Sequence, residues 1–226
     1  MTSTAFAGSV RTYPSAGTVR AATTADNNAV SAVLARAFFD DPVFAWVTPD
    51  AVRRARMLPE FFALFAAAYA PLGASQVIDD SHTTDGSNVT DGSNVTAGAA
   101  LWAPPGQQAI GDEDAEDFAG RIGAMAGTDA GRMFEVIGLL EEHHPDAGCY
   151  YLNLLGVDPA RHGGGLGSTL LAAALARCDR EGQPAYLEAT SPLNRRLYAR
   201  HGFAVVGEVC LPDGPALWPM WREPRG

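Results

Sequence analysis

The chain of 226 residues reads as a mixed α/β domain. Three observations point there. Short apolar stretches alternate with segments of helical period along the whole chain, a strand–loop–helix–strand unit occupies the C-terminal half, and a run of glycines leads from a strand into a helix. The length supports one sizeable core. A 47% hydrophobic and 19% charged composition is ordinary for a globular protein.

The elements follow in order. Residues 1–17, rich in Ser, Thr, Ala and Gly, read as a loose arm with neither the basic start nor the apolar stretch of a signal peptide. One domain spans 18–226. It opens with a short strand at 19–22. From Asp26 the positions Val30, Val33, Leu34, Ala37 and Phe38 recur at helical spacing, with a stop before Pro42. A second helix is expected over 51–69, its apolar face carrying Met57, Phe61, Leu64, Phe65 and Ala68 and a kink or restart at Pro59. Residues 75–80 and 97–103 read as strands.

Between those strands the unit Thr-Asp-Gly-Ser-Asn-Val occurs twice in tandem, at 84–89 and 90–95. Its polar, turn-forming residues make 81–96 a lengthened hairpin loop. The Asn88 and Asn94 triplets match a glycosylation acceptor, a match without weight where no secretory signal is seen. Helices are expected from the acidic stretch 111–117, where negative charge suits the dipole, and over 129–143. Then come a strand at 150–157, a helix at 165–180, a strand at 185–190, a helix at 192–200 and a strand at 203–209. A last strand at 216–221 closes the sheet.

A net charge of −10 argues against nucleic-acid binding, and no apolar run is long enough for a membrane helix, so the expected location is cytoplasmic. Cys149, Cys178 and Cys210 lack metal-ligand spacing and read as reduced core fillers; no metal is expected. Acidity is compatible with attraction of a cationic amine and equally with simple solubility.

The segment Val157-Asp158-Pro159-Ala160-Arg161-His162-Gly163-Gly164-Gly165-Leu166-Gly167-Ser168 carries the first functional signal. Its glycines let a ligand approach the backbone, and the helix beyond offers unpaired N–H groups at the positive end of a dipole, a site for phosphate. A P-loop needs a lysine, and the chain has none. A dinucleotide loop needs a third glycine where Ser168 stands. A ligand-free tight turn is the structural alternative. The second signal is Ser191-Pro192-Leu193-Asn194 through Tyr198 to Gly202-Phe203: a capped short helix with Asn194 and Tyr198 on one face.

Together these motifs resemble the GNAT N-acetyltransferases, whose pyrophosphate loop follows a Val-x-Pro strand end and whose later helix carries Asn-x-x-x-Tyr before Gly-Phe. His162 stands where that family usually has Gln or Arg; Arg161 next to it is a substitute charge. The stretch from Tyr150 to the C-terminus is similar to the narrower group of puromycin N-acetyltransferase and related actinobacterial GNAT proteins.

The resemblance implies a GNAT fold: a central, mostly antiparallel sheet of six to seven strands with a splayed parallel pair, flanked by helices. It implies acetyl-CoA as co-substrate, held by His162, Gly163, Gly164, Gly165, Leu166, Gly167, Ser168 and Asn194 and by the backbone of Leu155, Gly156 and Val157. Tyr198 would protonate the departing thiolate, and a phenol can serve that purpose. Glu188, a carboxylate in an apolar strand, is the candidate base, or else one member of a buried polar network. Glu141, Glu142, His143 and His144 form a second candidate group, and Asn153 is a candidate for orienting substrate.

The implied acceptor is a primary amine of a small molecule, taken by a monomer or homodimer. Phe39, Phe44, Trp46, Trp102, Trp218 and Trp221 are candidates for an aromatic lining, core packing being the alternative for each. A protein lysine or N-terminus as acceptor, and a CoA-binding domain without activity, are the competing functions.

Overall fold

The computed structural model describes residues 17–80, 95–145 and 148–226. The expected N-terminal arm, apart from Gly17, and most of the repeat-bearing loop lie outside these residues.

Eight strands form one sheet among the described residues: β1 (Thr18–Ala21), β2 (Gln76–Asp80), β3 (Val95–Ala103), β4 (Tyr150–Val157), β5 (Ala185–Ala189), β6 (Ala204–Val205), β7 (Val209–Cys210) and β8 (Ala216–Arg222). Their order is β1-β2-β3-β4-β5-β8-β6, with β7 also on β8. All pairings are antiparallel except β4 with β5.

The helices are α1 (Asn27–Ala37), α2 (Pro42–Val47), α3 (Ala51–Tyr69), α4 (Ala115–Ala126), α5 (Ala130–His143), α6 (Leu166–Glu181) and α7 (Pro192–Arg200). One face of the sheet packs on α1, α3, α4 and α5 through Leu34, Phe62, Val77, Leu101 and Leu154. The other packs on α6 and α7 through Ile78, Leu152, Leu170, Leu187 and Tyr198.

Pro42 does not merely end a helix; it opens α2 at the first turn, where its missing N–H costs nothing. The Asp41 carboxylate caps that helix by accepting from the N–H groups of Val43 and Phe44. Pro59 sits within α3, which continues through it to Tyr69. The carbonyl of Pro59 accepts the Ser31 hydroxyl at 2.6 Å, tying α3 to α1.

Three corrections concern the sheet. The expected strand over 203–209 is two strands, β6 and β7, because their register on β8 slips by one residue. The slip falls opposite Pro219, which has no N–H for the ladder and whose ring packs beside Gly207. Counted as one bulged strand, the pair gives seven strands; counted separately it gives eight. The last strand, β8, does not close an edge but lies between β5 and β6.

A second bulge matters more for function. The β3–β4 register shifts between Leu101 and Trp102, so Asn153 is the extra residue on β4. Side chains swap faces there: Leu152 belongs to the α6 side and Leu154 to the α1 side. Gly156 then faces α1, where an added Cβ would stand 2.7 Å from Leu34 Cδ2 and 2.8 Å from Ala37 Cβ.

A forked strand pair and the candidate active site

Parallel pairing of β4 with β5 covers only Tyr150–Leu152 against Ala185–Leu187. Past that point the strands part. The β5-facing backbone groups of Asn153 to Val157 have no strand partner, and a gap opens in the middle of the sheet. Unpaired backbone donors in such a gap are ready to bind a ligand.

The glycine loop lies at the open end. Gly163 and Gly165 have φ of +80° and +81°, a conformation that only glycine adopts without strain. Gly165 is the N-cap of α6, and Thr169 makes the first helical bond back to its carbonyl. Helix geometry therefore leaves the N–H groups of Leu166, Gly167 and Ser168 directed out of the helix end. Gly164 keeps the turn tight: its N–H donates to the Arg161 carbonyl, and an added Cβ would stand 3.3 Å from that oxygen.

His162 holds the loop to β4, its Nε2 lying 3.0 Å from the Val157 carbonyl oxygen; a carbonyl only accepts, so Nε2 carries the proton. The Cα of Gly167 lies where a Cβ would stand 3.6 Å from Leu197 of α7 and 3.8 Å from Val157. The start of α6, the end of β4 and α7 thus lie side by side.

On the α1 side of the gap, Glu188 is the central group. The Tyr151 hydroxyl donates to its Oε2 at 3.0 Å, and Asn153 Nδ2 donates to that hydroxyl at 3.2 Å. Its Oε1 is buried without a hydrogen-bond partner. Burial raises the Glu188 pKa to about 7, opposed by the neighbouring Tyr186 and Tyr151 hydroxyls. The Tyr186 hydroxyl donates to the His143 carbonyl at 3.2 Å. His144 packs edge-on against Tyr151 and Tyr186, with ring centroids 4.6 and 5.6 Å away. The group at the end of α5 therefore meets the Glu188 network through ring contacts and a carbonyl.

Tyr198, on α7, belongs to the opposite core and packs on Phe203. Its pKa is raised by burial first and then by the negative fields of Asp41 and Glu188, so it stays protonated. Those carboxylates lie on the α1 side, and the phenol feels them across the fork. Asn194 is capped into place by the Ser191 hydroxyl, which accepts its N–H at 3.2 Å. Its own amide donates to Thr190 Oγ1 at 3.5 Å. Glu188 and the β4 backbone lie at the gap, the glycine loop adjoins it where Gly167 meets Val157 and Leu197, Asn194 joins Thr190 past the end of β5, and Tyr198 is buried on the α6 side.

The aromatic candidates divide among several places in the fold. Phe44 does sit in an aromatic cluster, with Phe61 and Phe62 at 5.3 and 5.4 Å. That cluster is built mainly by α3 and continues through Phe65 to Tyr69. Phe39 lies under the Arg54 guanidinium, Trp46 under Arg132 and Trp218 beside Arg195. The indole of Trp221 donates to Glu223. Trp102 is fully buried on the α6 side, lining a cavity of about 130 Å³ with Gln76 and Tyr150. The bulge at Asn153, the tyrosines around Glu188 and Asp41 carry no local sequence signal except the Asp-Pro cap.

Among the described residues no cluster of three or more His, Cys, Asp or Glu is placed to hold a metal ion. No described helix is long and apolar enough to cross a membrane.

Residues 97–203 match the family model of the acetyltransferase (GNAT) family. That span holds the fork, the glycine loop and α7. A histone acetyltransferase HPA2 and related acetyltransferase from Corynebacterium glutamicum aligns at 29% identity, over 93% of this chain and 98% of its own, with a TM-score of 0.68. The Aedes aegypti arylalkylamine N-acetyltransferase 2 aligns at 16% identity, over 92% and 99% of the two chains, with a TM-score of 0.58. Drosophila melanogaster polyamine N-acetyltransferase, which forms N-acetylagmatine, aligns at 16% over 91% and 99%, with a TM-score of 0.59. At that identity the insect enzymes establish the shared fold alone. Residues 97–203 thus match a GNAT acetyltransferase domain, and the chain as a whole shares the fold of these acetyltransferases.

Proposed function

We propose that the protein transfers the acetyl group of acetyl-CoA directly to a primary amine of a small molecule. One observation carries this reading: the buried Glu188 carboxyl, with an unpartnered oxygen, stands at the gap where β4 and β5 part, and burial raises its pKa.

The donor's diphosphate binds the N–H groups at the start of α6, shaped by Gly163, Gly164, Gly165, Leu166, Gly167 and Ser168, with His162 bracing the loop. Its pantetheine arm runs between the strands against the backbone of Leu155, Gly156 and Val157, and Asn194 contacts the same arm. Freed β4 donors stabilise the oxyanion formed when the amine attacks the thioester carbonyl. Glu188 takes the amine's proton. The tetrahedral intermediate collapses with cleavage of the C–S bond, and Tyr198 gives its proton to the CoA thiolate. The products are the N-acetyl amine and CoA thiol, and the Glu188 proton passes to the Tyr198 phenolate, directly or through water, which restores both groups.

The Tyr69, Tyr151 and Tyr186 rings around Glu188 favour an acceptor with an apolar or aromatic body beside its amine. A panel of arylalkylamines, polyamines, agmatine, puromycin and a lysine peptide, followed by free-thiol release, tests this. Release only with the peptide would move the acceptor to protein lysines, the reading that the Corynebacterium relative's name favours. No release with any amine, acetyl-CoA bound, would leave a binding domain.

A further inference from the structure

Asp41 does more than cap a helix. Its Oδ1 accepts the Val43 and Phe44 N–H groups at 2.9 and 3.4 Å. Its Oδ2 accepts the Thr190 hydroxyl at 2.5 Å, across 149 residues of chain. An ordinary cap needs neither burial nor a second partner. Asp50, at the start of α3, shows the ordinary form: it is exposed and accepts the Arg53 N–H. Asp41 is 9% exposed, a location that raises the energy of a carboxylate unless its bonds are kept.

Both ends of the link are placed with care. Thr190 follows β5 directly, lies two residues past Glu188 and so projects from the same side of that strand. It precedes Ser191, the cap of α7, and accepts the amide of Asn194. At the other end Arg54, itself buried, clamps the segment holding α2: its guanidinium donates to the carbonyls of Phe39 at 2.8 Å and Thr48 at 2.7 Å. Asp41 is therefore a rigid anchor. It lies outside the residues that match the GNAT family model, and Thr190 lies inside them.

We propose that Asp41 is a positioning residue for acetyl transfer, which through Thr190 fixes the β5–α7 corner, and with it Asn194 and Tyr198, against α2 and α3. The inference rests on the functional reading given above. The negative field of Asp41 at the Tyr198 hydroxyl fits this placement.

The test uses the full chain with Thr190→Val, which keeps the Asp41 cap and deletes only the link, Thr190→Ser, which restores it, Asp41→Asn, and the double variant. Thr190→Val should lower kcat about tenfold, as expected for losing one charge-assisted hydrogen bond, with the KM of the amine within about twofold. Thr190→Ser should recover most of that loss. Asp41→Asn should cost little more in the Thr190→Val background, since coupled residues are not additive. Hydrogen exchange of the α7 amides should quicken in Thr190→Val and not in Thr190→Ser.

Wild-type kcat in Thr190→Val, fully additive losses, or an equal loss in Thr190→Ser would overturn the proposal. Should the wild-type enzyme transfer acetyl to none of the amines, the functional reading fails; unchanged exchange in α7 of Thr190→Val would then sink the link separately.

Discussion

Replacing Glu188 by Gln should slow the enzyme and stabilise the fold, and the stabilisation should depend on pH. The folded protein raises the Glu188 pKa from 4.5 to about 7. At about 1.36 kcal/mol per pKa unit, that shift corresponds to roughly 3 kcal/mol of stability lost by ionising a buried carboxyl.

Below about pH 4.5 both folded and unfolded chains hold the proton, and the contribution is fully present. Between 4.5 and 7 the folded chain binds more protons than the unfolded one, so stability falls as pH rises. Above about 7 the loss is complete. A glutamine side chain at this position does not ionise, so its advantage should be small at about pH 5 and reach about 2–3 kcal/mol at about pH 8.5, less whatever the unmatched amide N–H costs. For a chain of this size each kcal/mol moves Tm by about 2–4 °C. Calorimetry at the two pH values should therefore show the Glu188→Gln variant melting about 4–12 °C above wild type at the alkaline pH and close to it at the acidic one. Equal melting at both would refute the buried, strained carboxylate, and with it the poised base.

The kinetics of the same substitution give a second expectation: wild-type kcat/KM should rise with pH through an apparent pKa near 7, and Glu188→Gln should remove that limb; a limb that persists assigns the proton to another group. Tyr198→Phe should lower turnover about 10²- to 10⁴-fold while acetyl-CoA binds as before, and unchanged turnover with chemistry rate-limiting would remove the phenol from its role. Gly156→Ala should destabilise the fold by about 1–3 kcal/mol, because its methyl meets Leu34 and Ala37, and a denaturant midpoint equal to wild type would contradict that close approach. Acetyl-CoA at about 100 times its Kd should add about 2.7 kcal/mol to stability, visible as a higher Tm.

The part of the molecule most legible in sequence is the part governed by local rules. The bounds of β4 and α7 follow from alternation, a Ser-Pro start and a glycine exit, and the structure keeps them at Tyr150–Val157 and Pro192–Arg200. The glycine run before a helix is visible in the sequence, and the structure puts Gly163 and Gly165 in the left-handed conformation. What sequence does not show depends on partners far along the chain. The bulge at Asn153 arises from pairing with β3, and the break between β6 and β7 arises opposite Pro219. Asp41-Pro42 reads as a helix stop, although an Asp before a Pro is also a cap and a first turn; local sequence cannot choose between them. Glu188 stands out as an odd carboxylate in an apolar strand, but its tyrosine partners come from β4 and from its own strand and its unpartnered oxygen is a matter of packing. Trp102 is buried on the α6 side, which its place in an apolar strand does not reveal, because local sequence does not say which face of a sheet an aromatic ring occupies.

The decisive measurement is a crystal structure with bound CoA. The diphosphate should lie on the amides of Gly163 to Ser168, the pantetheine should pass between β4 and β5 beyond Leu152, and the sulfur should stand within hydrogen-bonding reach of the Tyr198 hydroxyl. CoA seated elsewhere, or a sulfur out of reach of both the Tyr198 hydroxyl and the Glu188 carboxyl, would contradict the assignment of the fork as the place of transfer.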